Sequence, residues 1–421
     1  MPIGRSILAG LAFTAAASAA TVSPLHHTAY APDLAVNGRG EMALLWVDRA
    51  PDAASVAGRD DRLSYVDLYV AISGDGGASW AGPTKVNHTS GVVRALQTNR
   101  PRIVGAASGV WHVSYTANEI HADFSETMLT THYTRSVDGV SFEPPRRLSP
   151  IFTEKPDAGI HIHNDHVGAA AFGTLAVTPL GGAHVLWIDS RHMTPGSDVR
   201  ALYVASSSND GATFSPPRKL IDTGVCPCCQ MTAVSDDTSA LYVGLRDVHS
   251  DGARQAAIVK LSADGSLVPP VDTGGARWKI DGCPMKPTVV GVAGRSVFTA
   301  VHNGAAQPPG VYFSSSSDAG ATYSTAQAVH PEATVSDAPA VAIGGATVLV
   351  AWHAKVGDSR RVFTRRYDLS GAPVGGPAVL PEAGEGAQNP VIAVRADGDF
   401  QIAWQQSNRI MTSILPAAPT N

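Results

Sequence analysis

Seven times along the chain a short apolar strand follows a polar loop, with starts at Pro32, Pro101, Val167, Met231, Pro287, Pro339 and Pro390. The spacing, about 50 to 70 residues, is that of an array of one structural unit rather than of unrelated domains. Each start is followed by a second strand, beginning in order at Leu44, Trp111, Val185, Leu241, Val297, Val348 and Phe400. These are β-branched and aromatic runs between Gly- and Asp-rich turns, with no helical period, so the chain is all-β. Composition agrees: 41 Gly and 29 Pro in 421 residues, with charged residues at 16%, exclude a coiled coil and most disorder. A formal charge of −5 is small for this length and gives no basis for nucleic-acid binding.

A third strand follows in every unit, such as Leu68 to Ile72, Leu202 to Ala205 and Ile410 to Ile414, and a fourth begins at Pro83, Pro145 and Pro217. Four strands per unit make the blade of a β-propeller. The seventh unit has no fourth strand of its own, whereas Thr21-Val22-Ser23-Pro24 precedes the first unit with no blade to join. The economical solution is a seven-bladed ring closed by the N-terminal strand, which removes free sheet edges. Six blades plus an extra hairpin is the alternative count. Met1 to Ala19 carries Arg5, an apolar run from Ile7 to Phe13, and Ala17-Ser18-Ala19, which fits signal-peptidase cleavage. The expectation is a signal peptide over 1–19, a single propeller domain over 20–421, and a periplasmic or secreted protein with no membrane span after cleavage.

Between third and fourth strands stand Ser73-Gly74-Asp75-Gly76-Gly77-Ala78-Ser79-Trp80, Ser136-Val137-Asp138-Gly139-Val140-Ser141-Phe142, Ser208-Asn209-Asp210-Gly211-Ala212-Thr213-Phe214 and Ser316-Ser317-Asp318-Ala319-Gly320-Ala321-Thr322-Tyr323. These turns resemble the Asp-box, or BNR repeat, of the sialidase superfamily of propellers. Their role is local: Asp and Ser side chains bond the turn's own N–H groups and Gly supplies positive φ. The resemblance implies that Asp75, Asp138, Asp210 and Asp318 face away from the active site and carry no chemistry.

Function is therefore sought on the opposite rim, where the loops before the innermost strands meet the ends of the second strands. All four cysteines fall there, in Cys226-Pro227-Cys228-Cys229 and Cys283-Pro284-Met285. These segments occupy matching places in neighbouring blades. In an extended segment residues i and i+2 point the same way, which aims Cys226 with Cys228, and Cys283 with Met285, at one point. Thiolate and thioether donors suit a soft ion, copper(I) above all, with zinc possible if Cys and His dominate. Cys229 and the cluster His161, His163 and His166 are supplementary ligands. Two structural disulfides or a redox-active thiol pair remain open, because the same cysteines in an exported chain can oxidise.

The resemblance also implies a carboxylate-gripping arginine triad, for which Arg100, Arg191 and Arg246 are candidates, with Asp48 as acid and Glu119 as activator. The chain departs from that pattern. Pro101-Arg102-Ile103 has the wrong order for the family's early motif, and no Tyr follows Tyr367 to serve as the late nucleophile. The sequence thus offers a copper-handling propeller first, an exo-glycosidase acting on an acidic sugar second, and a scaffold for a periplasmic partner protein or glycan third.

Overall fold

The structure is a computed structural model that describes residues 19–24, 28–49, 66–120, 127–150, 170–191, 200–333 and 335–417. Among these residues there are 28 strands and no helix. Five sheets have four antiparallel strands, and the sixth has eight, because blades three and four are joined by a single bridge between Val225 and Asp247. The strands therefore group into seven blades of four. Their innermost strands are Tyr30–Val36, Arg102–Gly105, Ala170–Val177, Thr232–Ser235, Thr288–Ala293, Val335–Gly344 and Ala387–Val394. Each lies against the next and the last against the first, which closes a ring around a channel.

Closure is made by the N-terminus, as the strand count requires. Ala20–Thr21 forms the outermost strand of blade seven, pairing Ala20 with Thr412 and Thr21 with Met411. Two further bonds extend the seam: Val22 N–H donates to the Ile410 carbonyl at 3.0 Å, and Ile410 N–H donates to Ser23 Oγ at 3.0 Å. A sheet edge that would otherwise be open is thereby paired.

The packing between blades follows from the second strands. Trp46, Trp187, Trp352 and Trp404 occupy equivalent positions there and are fully buried. Three of them stack on the cross-strand aromatic of the third strand: Trp46 on Tyr69, Trp187 on Tyr203 and Trp352 on Phe363, with centroids 6.1–6.3 Å apart. An indole buries on the order of 200 Å², so this recurring layer dominates the interior between sheets. Small Gly, Ala and Val residues on the innermost strands let the blades converge on the axis.

Four innermost strands contain a bulge, each marked by a register shift and a non-glycine residue in the left-handed region: Ala31, Phe172, Ala338 and Asn389. A bulge reverses which side chains face the axis over one step, and here it does so at the channel mouth. In blade three the described strand begins at Ala170. Residues 167–169 lie outside the described residues.

The turns between third and fourth strands bond as expected, with one correction. In blade one, Ser73 Oγ donates to Asp75 Oδ1 at 2.7 Å, and the N–H groups of Gly77 and Ser79 donate to Ser73 Oγ and Asp75 Oδ1. In blade three the corresponding residues are Ser207 and Asn209: Gly211 N–H bonds Ser207 Oγ and Thr213 N–H bonds Asn209 Oδ1. The sequence register was therefore one residue late. Asp210 is released from the turn and pairs with His112 instead.

Candidate metal centre at the boundary of blades four and five

The outer strand of blade three, Arg218–Val225, leads directly into the cysteine loop. Cys226 N–H donates to the Arg246 carbonyl at 2.9 Å, which pins the loop against the second strand of blade four, Leu241–Val248. Residues 227–228 then form a turn rather than a strand. That turn decides the geometry. It brings Cys229 back toward Cys226, with sulfurs 3.6 Å apart, instead of placing Cys229 on an opposite face. From the next blade, Cys283 completes the group: its sulfur is 3.2 Å from that of Cys226, 3.7 Å from that of Cys229, and bonded to that of Cys228. All four cysteines of the chain thus meet at one point.

Met285 does not join them. It adopts a left-handed conformation, and its side chain is 38% exposed. The alternation expected of an extended segment fails because residues 281–287 are not a strand. His161, His163 and His166 lie outside the described residues.

Two arginines enclose the sulfur cluster. Arg246 is 2% exposed and donates to three main-chain carbonyls: Arg254 at 3.2 Å, Lys286 at 3.4 Å, and His302. Its guanidinium also lies 5.2 Å from the Trp278 ring centroid. Arg254, from the third strand Arg254–Leu261, is 5% exposed and donates from Nη1 to Cys226 Sγ at 3.4 Å. Sequence reasoning did not find Arg254. Its signal is cross-strand register, since Arg254 pairs with Val248, two residues beyond Arg246. Burial raises the Cys229 thiol, but the hydrogen bond with Cys226, the charge of Arg246 and the N–H groups of Lys286 and Met285 outweigh it, so Cys229 lies below the ordinary thiol range. The hydrogen bond to Cys229 and burial push Cys226 the other way. One proton is shared unequally by the pair.

The other rim candidates separate. Arg191 is held by Asp189, with Nε donating to Oδ1 at 2.9 Å, and lies 4.3 Å from the Tyr203 ring centroid. Glu119 pairs with His132 at 3.1 Å and with Arg147 at 2.9 Å; the His132 hydrogen bond, with the Arg147 contact, lowers its carboxyl to about 2. Asp48 is buried and accepts from Thr28 N–H and Arg49 N–H, each at 2.8 Å. Of the three arginines proposed as a triad, Arg100 is the one that lines the channel cavity, a space of about 190 Å³. Its Nε donates to the Gln97 carbonyl at 2.9 Å, and burial lowers it to about 10. Nearby, Asp337 pairs with Lys286 and lies 3.8 Å from His302, while burial depresses His353 to about 4.

No helix among the described residues is long and apolar enough to cross a membrane. No protein-family model and no curated sequence relative matches the chain. Its β-propeller fold has counterparts among solved structures. The chain is similar to the lectin BP39L from Burkholderia pseudomallei, at 11% identity and a TM-score of 0.56 over 93% of this chain and 100% of that one. It is also similar to the GH93 α-L-arabinofuranosidase of Fusarium graminearum, at 13% identity and a TM-score of 0.52 over 95% of this chain and 97% of that one. A third likeness is to the Hadza microbial sialidase Hz136, at 14% identity and a TM-score of 0.51 over 85% of this chain and 74% of that one. At these identities the likeness establishes the fold alone.

Proposed function

We propose that this is an exported propeller that holds one soft metal ion, copper(I) in first place and zinc(II) as the alternative, in its four-cysteine cluster. The observation that carries this reading is the convergence of all four sulfurs at a single blade boundary. The three that are not mutually bonded lie 3.2–3.7 Å apart. Four thiolates around one ion at about 2.3 Å would stand roughly 3.8 Å from one another, so the three open contacts are already near that spacing, while Cys228 and Cys283 must part on reduction to complete the set. The charges support it as well. Four thiolates carry four negative charges, and the guanidinium groups of Arg246 and Arg254 offset two of them beside a buried site, leaving the rest to be reduced by the ion itself. With Cys228 and Cys283 joined, Cys226 and Cys229 are the available thiols, so full loading follows reduction. The leader over 1–19 would deliver the chain to the periplasm or beyond, where the cluster would pass its ion to, or guard it from, a partner.

The test is anaerobic reduction, loading with copper(I), and competition with a strong copper(I) chelator. One equivalent retained in the wild type and lost in Cys226→Ser and Cys229→Ser supports the site. Retention of the full load in both variants places the metal elsewhere.

Arg100 favours a second reading, in which the channel mouth takes the carboxylate of an acidic sugar by charge-assisted hydrogen bonding. A fluorogenic sialoside turned over by the wild type and not by Arg100→Ala would select it.

A further inference from the structure

The cluster contains both a disulfide and two thiols in contact with it, and that combination has a chemistry independent of metal. Cys226 Sγ is 3.2 Å from Cys283 Sγ, inside the contact distance of two sulfur atoms. Cys283 is itself one half of the Cys228–Cys283 bond. Exchange needs a thiolate beside one sulfur of a disulfide, and a leaving sulfur that can accept the electron pair. Arg254 donates to Cys226 Sγ at 3.4 Å, and Cys229 Sγ, 3.6 Å away, stands where it can take the proton that Cys226 must give up before it attacks. The leaving sulfur, Cys228, belongs to the same loop and needs to move little once released. Cys283 is half-buried, whereas Cys226, Cys228 and Cys229 are all buried, so an outside reagent meets Cys283 first.

We propose that the four cysteines form an exchange-active relay in which the disulfide migrates between Cys228–Cys283 and Cys226–Cys283, and whose external substrate is a dithiol. In the internal step Cys226 thiolate attacks Cys283 Sγ. A Cys226–Cys283 bond forms, the Cys228–Cys283 bond breaks, and Cys228 leaves with the electron pair and takes the proton that Cys226 gave up. Nothing is oxidised or reduced overall. In the external step a thiolate of the dithiol attacks Cys283 Sγ and Cys228 leaves as a thiol. The second thiol of the same reagent then displaces Cys283, closing the reagent's own disulfide. Two electrons and two protons pass from the dithiol to the protein, which now holds four thiols.

The contact between Cys226 and Cys283 makes the relay selective. After attack by a monothiol, Cys226 is already positioned to displace it and restore an internal disulfide. The monothiol then leaves unchanged and the cluster stays oxidised. A dithiol resolves its own mixed disulfide and succeeds. The reduced state is the one that presents four sulfurs to a metal, so on the metal-binding reading above the relay would couple loading to dithiol reductants; the exchange itself does not depend on that reading.

The experiment is done on the mature protein with a chelator present, so that failure to bind metal has no effect on it. Free thiols are blocked with N-ethylmaleimide, the disulfide is reduced, the released thiols receive a second tag, and fragment ions locate each tag. After brief anaerobic incubation with trace dithiothreitol, the wild type should show two populations, free Cys226 with Cys229 and free Cys228 with Cys229, each at a tenth or more. Cys228→Ser equilibrated with oxidised glutathione should carry a Cys226–Cys283 bond. At equal thiol concentration, dithiothreitol should open the wild-type disulfide at least tenfold more completely than reduced glutathione. A single free pair in the wild type overturns the proposal without reference to any variant. So does free Cys226 together with free Cys283 in a Cys228→Ser protein of native thermal stability.

Discussion

His112 Nε2 lies 3.1 Å from Asp210 Oδ1, joining the second strand of blade two to the turn of blade three. A carboxylate only accepts, so Nε2 carries the hydrogen and Nδ1 accepts from Tyr133 O–H at 2.7 Å. Burial lowers His112 to about 4 despite Asp210, against 6.5 when the ring is free. The folded state therefore holds this ring neutral where the unfolded chain protonates it. The stability it contributes is complete above about pH 6.5 and is lost as pH falls toward 4, by about 3 kcal/mol in all. Urea midpoints across that range should fall more steeply in the wild type than in His112→Gln. Parallel curves would count against the assignment.

The corrected register in blade three separates two neighbouring residues. Asn209→Ala removes the acceptor for Thr213 N–H and should cost about 1 kcal/mol at any pH between 5 and 8. Asp210→Ala leaves the turn bonded and removes the partner that partly offsets burial at His112, so its cost should rise as pH falls to about 4 and below. Chemical denaturation at two pH values distinguishes them. Equal, pH-independent losses would return Asp210 to the turn.

The tryptophan layer should be felt one blade at a time. Trp404→Ala empties a fully buried site in the blade closed by the N-terminal strand and should cost about 4 kcal/mol. Trp352→Phe keeps a ring against Phe363 and should cost a fraction of that. Thermal melting reports both, and a Trp404→Ala protein that melts with the wild type would show that the layer is not the source of cohesion.

Met285→Leu is expected to retain the full copper load, because that side chain turns to solvent, while Cys229→Ser loses it. Loss of copper in Met285→Leu, measured by chelator competition, would mean that the loop rearranges on binding.

The propeller was legible because its signals are local and repeated. The strands around Trp46, Trp187, Trp352 and Trp404 announce themselves by composition, and the missing fourth strand of blade seven pointed to the N-terminus. The cysteine site was legible only as a neighbourhood. Matching loop positions placed Cys226, Cys228 and Cys283 at one boundary, but which sulfurs touch depends on the turn at 227–228. Alternation rules apply to strands and not to that turn, and so they misplaced Cys229 and Met285. Arg254 was invisible because it reaches the site across a sheet, through pairing that a linear reading does not contain. The arginine candidates failed to converge for a related reason: a shared rim does not give a shared direction, and Asp189 holds Arg191 where it stands.

The seam between Ala20–Thr21 and Thr412–Met411 sets an order of events. The last blade lacks an edge strand until Ala20–Thr21 returns to it, so the ring cannot shut while its C-terminal portion is still being made. Such end-to-end pairing is slow to form and late to appear. Ala20 is the first residue of the closing strand, so a cut after Ala19, as the sequence leads one to expect, would fall directly before the seam.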